Sequence, residues 1–186
     1  LRLISTLFWD RIQSIVLALC VVPTPKVWAQ TLGIFVLLII AMAPFVLRSD
    51  FLRFKPMGGS RWRILAVGLF LFIRPSLTEE FIYRVVLLPH PAQGRPFWTT
   101  MIWVVISLTV FILSHPLNGL FIRTTAKSLF THPTFITLAG LVGGACTAAY
   151  LLSGSIWPSV LIHWIVVITW ILLFGGKEYL EGQQIG

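Results

Sequence analysis

Thr78-Glu79-Glu80-Phe81-Ile82-Tyr83-Arg84 places two adjacent carboxylates and a guanidinium inside a run that is otherwise apolar over most of Ile64 to Leu88. An ionisable side chain deep in a membrane-length apolar segment is costly, so a functional role is the default reading. The chain has six acidic residues, and the other four, Asp10, Asp50, Glu178 and Glu181, fall near an end or in a polar loop. Two structural readings compete. Glu80 and Arg84 stand i, i+4 on a helix and could simply neutralise each other. Ser76-Leu77-Thr78-Glu79, following Pro75, also fits a capping box in which Glu79 returns a hydrogen bond to the Ser76 backbone. The segment alone leaves these readings open, and the rest of the chain decides between them.

Of the 186 residues, 57% are hydrophobic and only 11% charged, too little polar surface for a soluble domain of this size. The class is all-α, a polytopic transmembrane helix bundle. A net charge of +8 could point to nucleic acid, but the basic residues collect in the gaps between apolar runs, a pattern of membrane topology and anionic lipid. The expected partner is therefore membrane lipid, with no nucleic acid. Cys20 and Cys146 sit in separate apolar runs with no CxxC pair, so neither a disulfide framework nor a cysteine zinc site is expected. The first apolar stretch lacks a basic n-region and a small-residue cleavage site, so no cleavable signal peptide is expected.

Working outward, Trp28 to Leu47 has the length a bilayer requires. Arg48, Arg53, Lys55, Arg61 and Arg63 crowd the loop that follows. Ile64 to Leu88 is the next span, interrupted at Arg74-Pro75, where a missing N–H predicts a kink. Phe97 to Ile122, Thr134 to Ser153 and Ser155 to Phe174 complete the apolar runs. Gly140 and Gly144 in the second of these form a GxxxG, which predicts a close helix contact. Leu1 to Val22 reads either as an interfacial helix or as one tilted span with Asp10 and Arg11 paired. Counting it, the charge asymmetry supports six spans with both termini cytoplasmic: Arg2, Arg48, Arg53, Lys55, Arg61, Arg63, Arg123, Lys127 and Lys177 on that side, Lys26 and Arg95 on the other. No repeat or linker divides residues 1–186, which read as a single integral-membrane domain.

Four histidines occur. His90 and His132 each precede a proline in a loop and receive no role. His115 and His163 lie within spans, where a lone histidine is ordinarily a hydrogen-bonded interior group. Two histidines and two glutamates on three spans form a less ordinary set. At about 1.5 Å per residue, Glu79 lies roughly 15 Å and His163 roughly 12 Å from the outer ends of their spans. His115 lies about 19 Å from the outer face of a layer about 30 Å thick, so the three can meet near mid-membrane.

Glu79-Glu80-Phe81-Ile82-Tyr83-Arg84, Phe111-Ile112-Leu113-Ser114-His115 and His163-Trp164-Ile165-Val166-Val167 resemble the EExxxR, FxxxH and HxxxN motifs of the CPBP family, the CAAX proteases and bacteriocin-processing enzymes. The resemblance covers about residues 60–175. The first two motifs are complete, whereas Val167 stands where many members carry Asn. The resemblance implies a glutamic-type, metal-free intramembrane endopeptidase without a cofactor, acting on a protein or peptide tail that is prenylated in CAAX cleavage. It implies Glu79 as general base, His115 as its partner on the water, and His163 as oxyanion donor. Arg84 would pair with Glu80 and hold the helix that presents Glu79. Valine supplies no second donor, which leaves a backbone group, a water or Asn118, the only Asn in the chain, to assist His163.

These roles agree with physical expectation. A desolvated carboxylate is a stronger base once a donor fixes it, and an imidazole N–H aimed at a developing oxyanion in a dry cavity stabilises it strongly. An aspartyl pair is excluded because neither Asp10 nor Asp50 lies mid-span with a mate, and HExxH is absent. Ser114 projects about 100° away from His115 on a helix, so a serine nucleophile fits poorly. Zinc held by Glu79, His115 and His163 is a chemical alternative. Outside proteolysis, Val167 motivates a non-catalytic membrane scaffold or immunity-type partner, and buried Glu and His groups also suit a proton or ion pathway.

Overall fold

The computed structural model of the chain describes residues 2–48 and 54–176, with side chains described from Trp9 onward. Asp50, Arg53, Lys177, Glu178, Glu181 and the side chain of Arg2 therefore lie outside the described residues. The described residues form an all-α bundle: α1 (Arg2–Cys20), α2 (Pro25–Arg48), α3 (Arg61–Leu71), α4 (Thr78–Glu80), α5 (Phe97–Phe121), α6 (Lys127–Phe130), α7 (Pro133–Ser153) and α8 (Ile156–Leu173). Their ends follow local chemistry. Ser60, His132 and Ser155 accept from the backbone N–H of Arg63, Thr134 and Trp157 and so cap α3, α7 and α8. Pro133 starts α7 at a position where its missing N–H costs nothing. Gly154, with φ 63°, ends α7 in the left-handed conformation that favours glycine.

Four helices, α2, α5, α7 and α8, are long and apolar enough to cross a membrane. The six expected spans thus correspond to these four plus two different objects. The run from Ile64 to Leu88 is a broken rod: α3, a π-helical turn over Phe72–Leu77, the short α4, and a second π-helical turn over Phe81–Val86. The break falls where the sequence predicts it. Arg74 has extended φ/ψ of −131° and 117°, and the Arg74–Pro75 peptide is cis. Thr78 Oγ1 covers the loosened carbonyls, donating within reach of Ile73 O (3.2 Å) and Pro75 O (3.1 Å). The capping box does not form, because Ser76 lies inside the rod and its buried Oγ has no hydrogen-bond partner.

The remaining expected span is α1, and its contacts favour the interfacial alternative. Arg11 Nη1 donates to Leu88 O, and Gln93 Nε2 donates to Ser14 Oγ. Trp157 Nε1 and Ser155 Oγ donate to Leu19 O and Val21 O. His90 joins Gly154 O at 2.8 Å, so all these partners are loops and turns at one end of the bundle. Residues 10–21 therefore lie across that end. At the opposite end the loop at Lys55–Met57 bonds to Leu172 O and Leu173 O at the close of α8. His90 and His132, given no role from sequence, turn out to be a loop clasp and a helix cap.

α7 packs against α2, α5 and α8. Its buried Gly143, Cys146, Thr147 and Ala149 let those neighbours approach closely. Outward faces are apolar: Leu32, Leu37 and Ile40 on α2, and Ile102, Val105 and Leu113 on α5, are exposed. Such a surface suits lipid, while the polar groups gather inside.

Candidate active site

The broken rod, α5, α7 and α8 each contribute a side chain to one buried cluster. Glu80, on the inner face of the rod, is fully buried and lies 3.2 Å from Arg84 Nε through Oε2. The i, i+4 pair anticipated from sequence is therefore present. Burial of one such charge alone would cost several kcal/mol, so each member requires the other. Arg84, also fully buried, donates through Nη2 to Gly143 O at 3.0 Å and stacks its guanidinium 5.0 Å from the Phe111 ring centre.

The second oxygen of Glu80 does something the spacing did not reveal. Oε1 lies 2.8 Å from His163 Nδ1, with His163 itself only 4% exposed. A carboxylate accepts, so His163 Nδ1–H donates. The other ring nitrogen, Nε2, faces Glu79 Oε2 at 3.9 Å. Glu79 has a 30% exposed side chain, unlike Glu80, and thus stands at the mouth of the cluster. Arg84, Glu80, His163 and Glu79 form one continuous line of charge and hydrogen-bond contacts.

His115 reaches the same place from α5. Its Nδ1 lies 2.9 Å from Phe111 O, one turn earlier on the helix, so Nδ1 carries the proton and Nε2 is the acceptor of the neutral ring. It interacts electrostatically with both Glu79 and His163. Phe111 separates the groups: its ring centre is 4.9 Å from that of His115 and 6.2 Å from that of His163. The phenylalanine of the FxxxH motif is thus a wall of the site.

Asn118 is not drawn in. Its Oδ1 is buried without a hydrogen-bond partner, and no hydrogen bond joins it to His163. Ser114 Oγ donates to Phe111 O rather than to His115, as its helical position predicts.

Sequence reasoning missed two residues. Gly143 gives its carbonyl to Arg84 and also to Thr147 Oγ1, and a Cβ there would stand 2.8 Å from Phe111 Cδ1. Of the GxxxG pair, a Cβ on Gly140 would lie 3.4 Å from Ile112 Cδ1 of α5, an ordinary contact, whereas nothing lies within 4 Å of one on Gly144. Cys146 is the other: among the described residues, one donor atom each from Glu80, Cys146 and His163 lie within 4.8 Å of one another. The metal-ligand alternative read from sequence, Glu79 with both histidines, is a different set.

The Rce1-like family, described as type II CAAX prenyl endopeptidase Rce1-like, matches residues 61–169. No curated protein and no solved structure matches the chain. The matched stretch runs from the first residue of α3 to past His163, and so contains Glu79, Glu80, Arg84, Phe111, His115, Gly143 and His163. It covers more than half of the 186 residues, and the chain, an integral membrane protein by its apolar helices, belongs to the type II CAAX prenyl endopeptidase Rce1-like family.

Proposed function

We propose that this chain is a glutamic-type intramembrane endopeptidase that hydrolyses a peptide bond with a water activated by Glu79. The observation that carries the reading is the unequal pair of carboxylates on His163: Glu80 held by Arg84 inside, Glu79 at the mouth. Glu79 takes a proton from water while His115 Nε2 accepts a hydrogen bond from the same molecule. The hydroxide attacks the carbonyl carbon, and His163, protonated on both nitrogens between the two carboxylates, turns Nε2–H to the oxyanion. Glu79 then returns its proton to the leaving nitrogen, so the step needs neither metal nor cofactor. Glu80 takes no part in the proton traffic; it fixes the His163 ring so that Nε2 is the nitrogen turned toward substrate.

The substrate enters through lipid, and the family points to the tail of a prenylated protein. Exposed Arg48, Lys55, Arg61, Arg63, Arg123 and Lys127 gather at the end where α8 closes, a charge pattern that supports a cytoplasmic assignment of that end. On this reading α1 lies at the opposite interface instead of returning the N-terminal helix to the cytoplasmic side. Asn118 remains a candidate to assist the oxyanion only if α5 moves when substrate binds.

The test is Glu79→Gln in purified, lipid-reconstituted protein with a prenylated CAAX peptide. Cleavage should fall by at least about a hundredfold, the scale of general base catalysis, with the fold intact by tryptophan fluorescence. Undiminished cleavage would sink the assignment. The scaffold reading, motivated by Val167, expects no cleavage by the unmodified chain and partner capture that survives alanine at Glu79, His115 and His163 together.

A further inference from the structure

We propose that Glu80, His163 and Cys146 form an inhibitory site for a soft divalent cation of the zinc and cadmium class. The three side chains come from the rod, α8 and α7, and their donor atoms lie within 4.8 Å of one another. Carboxylate oxygen, imidazole nitrogen and thiolate sulfur are the donors such ions take, at about 2.0–2.3 Å each. Around one tetrahedral ion these donors would stand about 3.3–3.6 Å apart. Glu80 Oε1 and His163 Nδ1 now stand 2.8 Å apart and must separate slightly, while the sulfur must approach. Shifts of about 1 Å suffice.

Charge permits occupancy. Glu79 and Glu80 place two negative charges in the cluster against the positive charges of Arg84 and of the His163 ring protonated on both nitrogens. A divalent cation that displaces the Cys146 proton and the His163 Nδ1 proton leaves that balance unchanged. Arg84 keeps its hold on Glu80 through Oε2 and need not be expelled. Cys146 Sγ now donates to Ser159 O at 3.4 Å. That carbonyl lies inside α8, four residues before His163, where the helix ladder also engages it. Release of the thiol proton therefore orphans no buried acceptor. Glu79, half-open at the mouth, is the natural first stop for an entering cation.

The consequence rests on the protease reading: a metal on His163 Nδ1 displaces the Nδ1 proton and removes the bond to Glu80. The ring is then pinned in a new place, and cleavage stops. Two protons are released, one from the Cys146 thiol and one from His163 Nδ1, and no group is oxidised or reduced.

The experiment titrates Cys20→Ser protein in lipid nanodiscs with cadmium and follows thiolate-to-metal charge-transfer absorption alongside cleavage of a CAAX peptide. Saturation near one equivalent is expected, with cleavage falling in parallel. Cys146→Ala and Cys146→Ser, which touch no reacting atom, should keep basal cleavage. Each should lose cadmium affinity by more than the roughly 10–100-fold that an outer-sphere partner is worth. Absence of the absorption in the parent, or its persistence in both Cys146 variants, overturns the site. Absorption without loss of cleavage overturns the inhibition. Cleavage abolished by chelator and restored by zinc also overturns it, because the ion would then be required. A parent that cleaves nothing but shows the absorption defeats the protease reading and leaves the metal site standing.

Discussion

Arg84→Met is the sharpest perturbation that the cluster offers. The guanidinium is fully buried, ion-paired to Glu80, bonded to Gly143 O and stacked on Phe111. Breaking a buried pair from one side costs about 3–5 kcal/mol, because a carboxylate is left uncompensated. The bond to Gly143 O and the ring contact are each worth a further one to three kcal/mol or so in isolation, but contacts sharing one side chain do not add, and about 3–5 kcal/mol stands for the whole. Glu80→Gln alone should cost a similar amount, since it strands the cation. The double variant Glu80→Gln/Arg84→Met removes both charges and keeps an acceptor for His163 Nδ1–H. It should recover most of the stability, giving a coupling of at least about 3 kcal/mol. Unfolding would be followed in mixed micelles of rising SDS content, by tryptophan fluorescence and by maleimide labelling of Cys146 in a Cys20→Ser background. Cleavage should not recover with stability. Without a negative Glu80 nothing holds a second proton on His163, and loss of an oxyanion donor costs about 10²–10³ in rate. A double variant that regains both stability and cleavage would show that Glu80 only balances Arg84. An Arg84→Met protein as stable as the parent would refute the buried-pair account itself.

Gly143→Ala should destabilise by about 1–3 kcal/mol through overpacking against Phe111 and depress cleavage by displacing that ring, whereas Gly144→Ala should be silent in both assays. Equal effects at the two glycines would contradict the packing. Val167 stands one turn beyond His163 on α8, on the same face. Val167→Asn should therefore raise kcat by about tenfold or more, as one oxyanion donor is worth about 10²–10³ elsewhere; an unchanged kcat would mean that the oxyanion does not lie along this face.

Legibility followed range. The break at Pro75 and the Glu80–Arg84 pair depend on residues within one turn of each other, and both are readable from spacing. That the rod, α5 and α8 bring Glu79, His115 and His163 together is also readable, because span length fixes relative depth to within a few residues. What failed depends on a partner far along the chain. Hydropathy could not place α1, since its position is set by Arg11 on Leu88 and by Trp157 on Leu19. GxxxG marked Gly140 and Gly144; Gly140 does meet Ile112 of α5, but the tightest approach on α7 is at Gly143, because a phenylalanine from α5 faces it. Cys146 carried no motif at all. His90 and His132 looked idle because helix caps and loop clasps leave no periodic trace.

The adjacency of Glu79 and Glu80 acquires a reason from this arrangement. On one helix face, two carboxylates would share solvent and partners and would be chemically alike. Successive positions instead differ by about 100° around the axis, so one acid turns inward to Arg84 while its neighbour stays 30% exposed. A single imidazole, with nitrogens on two sides of its ring, can then bridge them: Nδ1 to the sealed acid, Nε2 toward the open one. The sealed acid is fixed by its ion pair, whereas Glu79 keeps a buried Oε2 without a hydrogen-bond partner; in the proposed mechanism Glu80 serves orientation and Glu79 exchanges protons with water. Spacing the same two residues four apart would preserve the charges and abolish the division of labour between them.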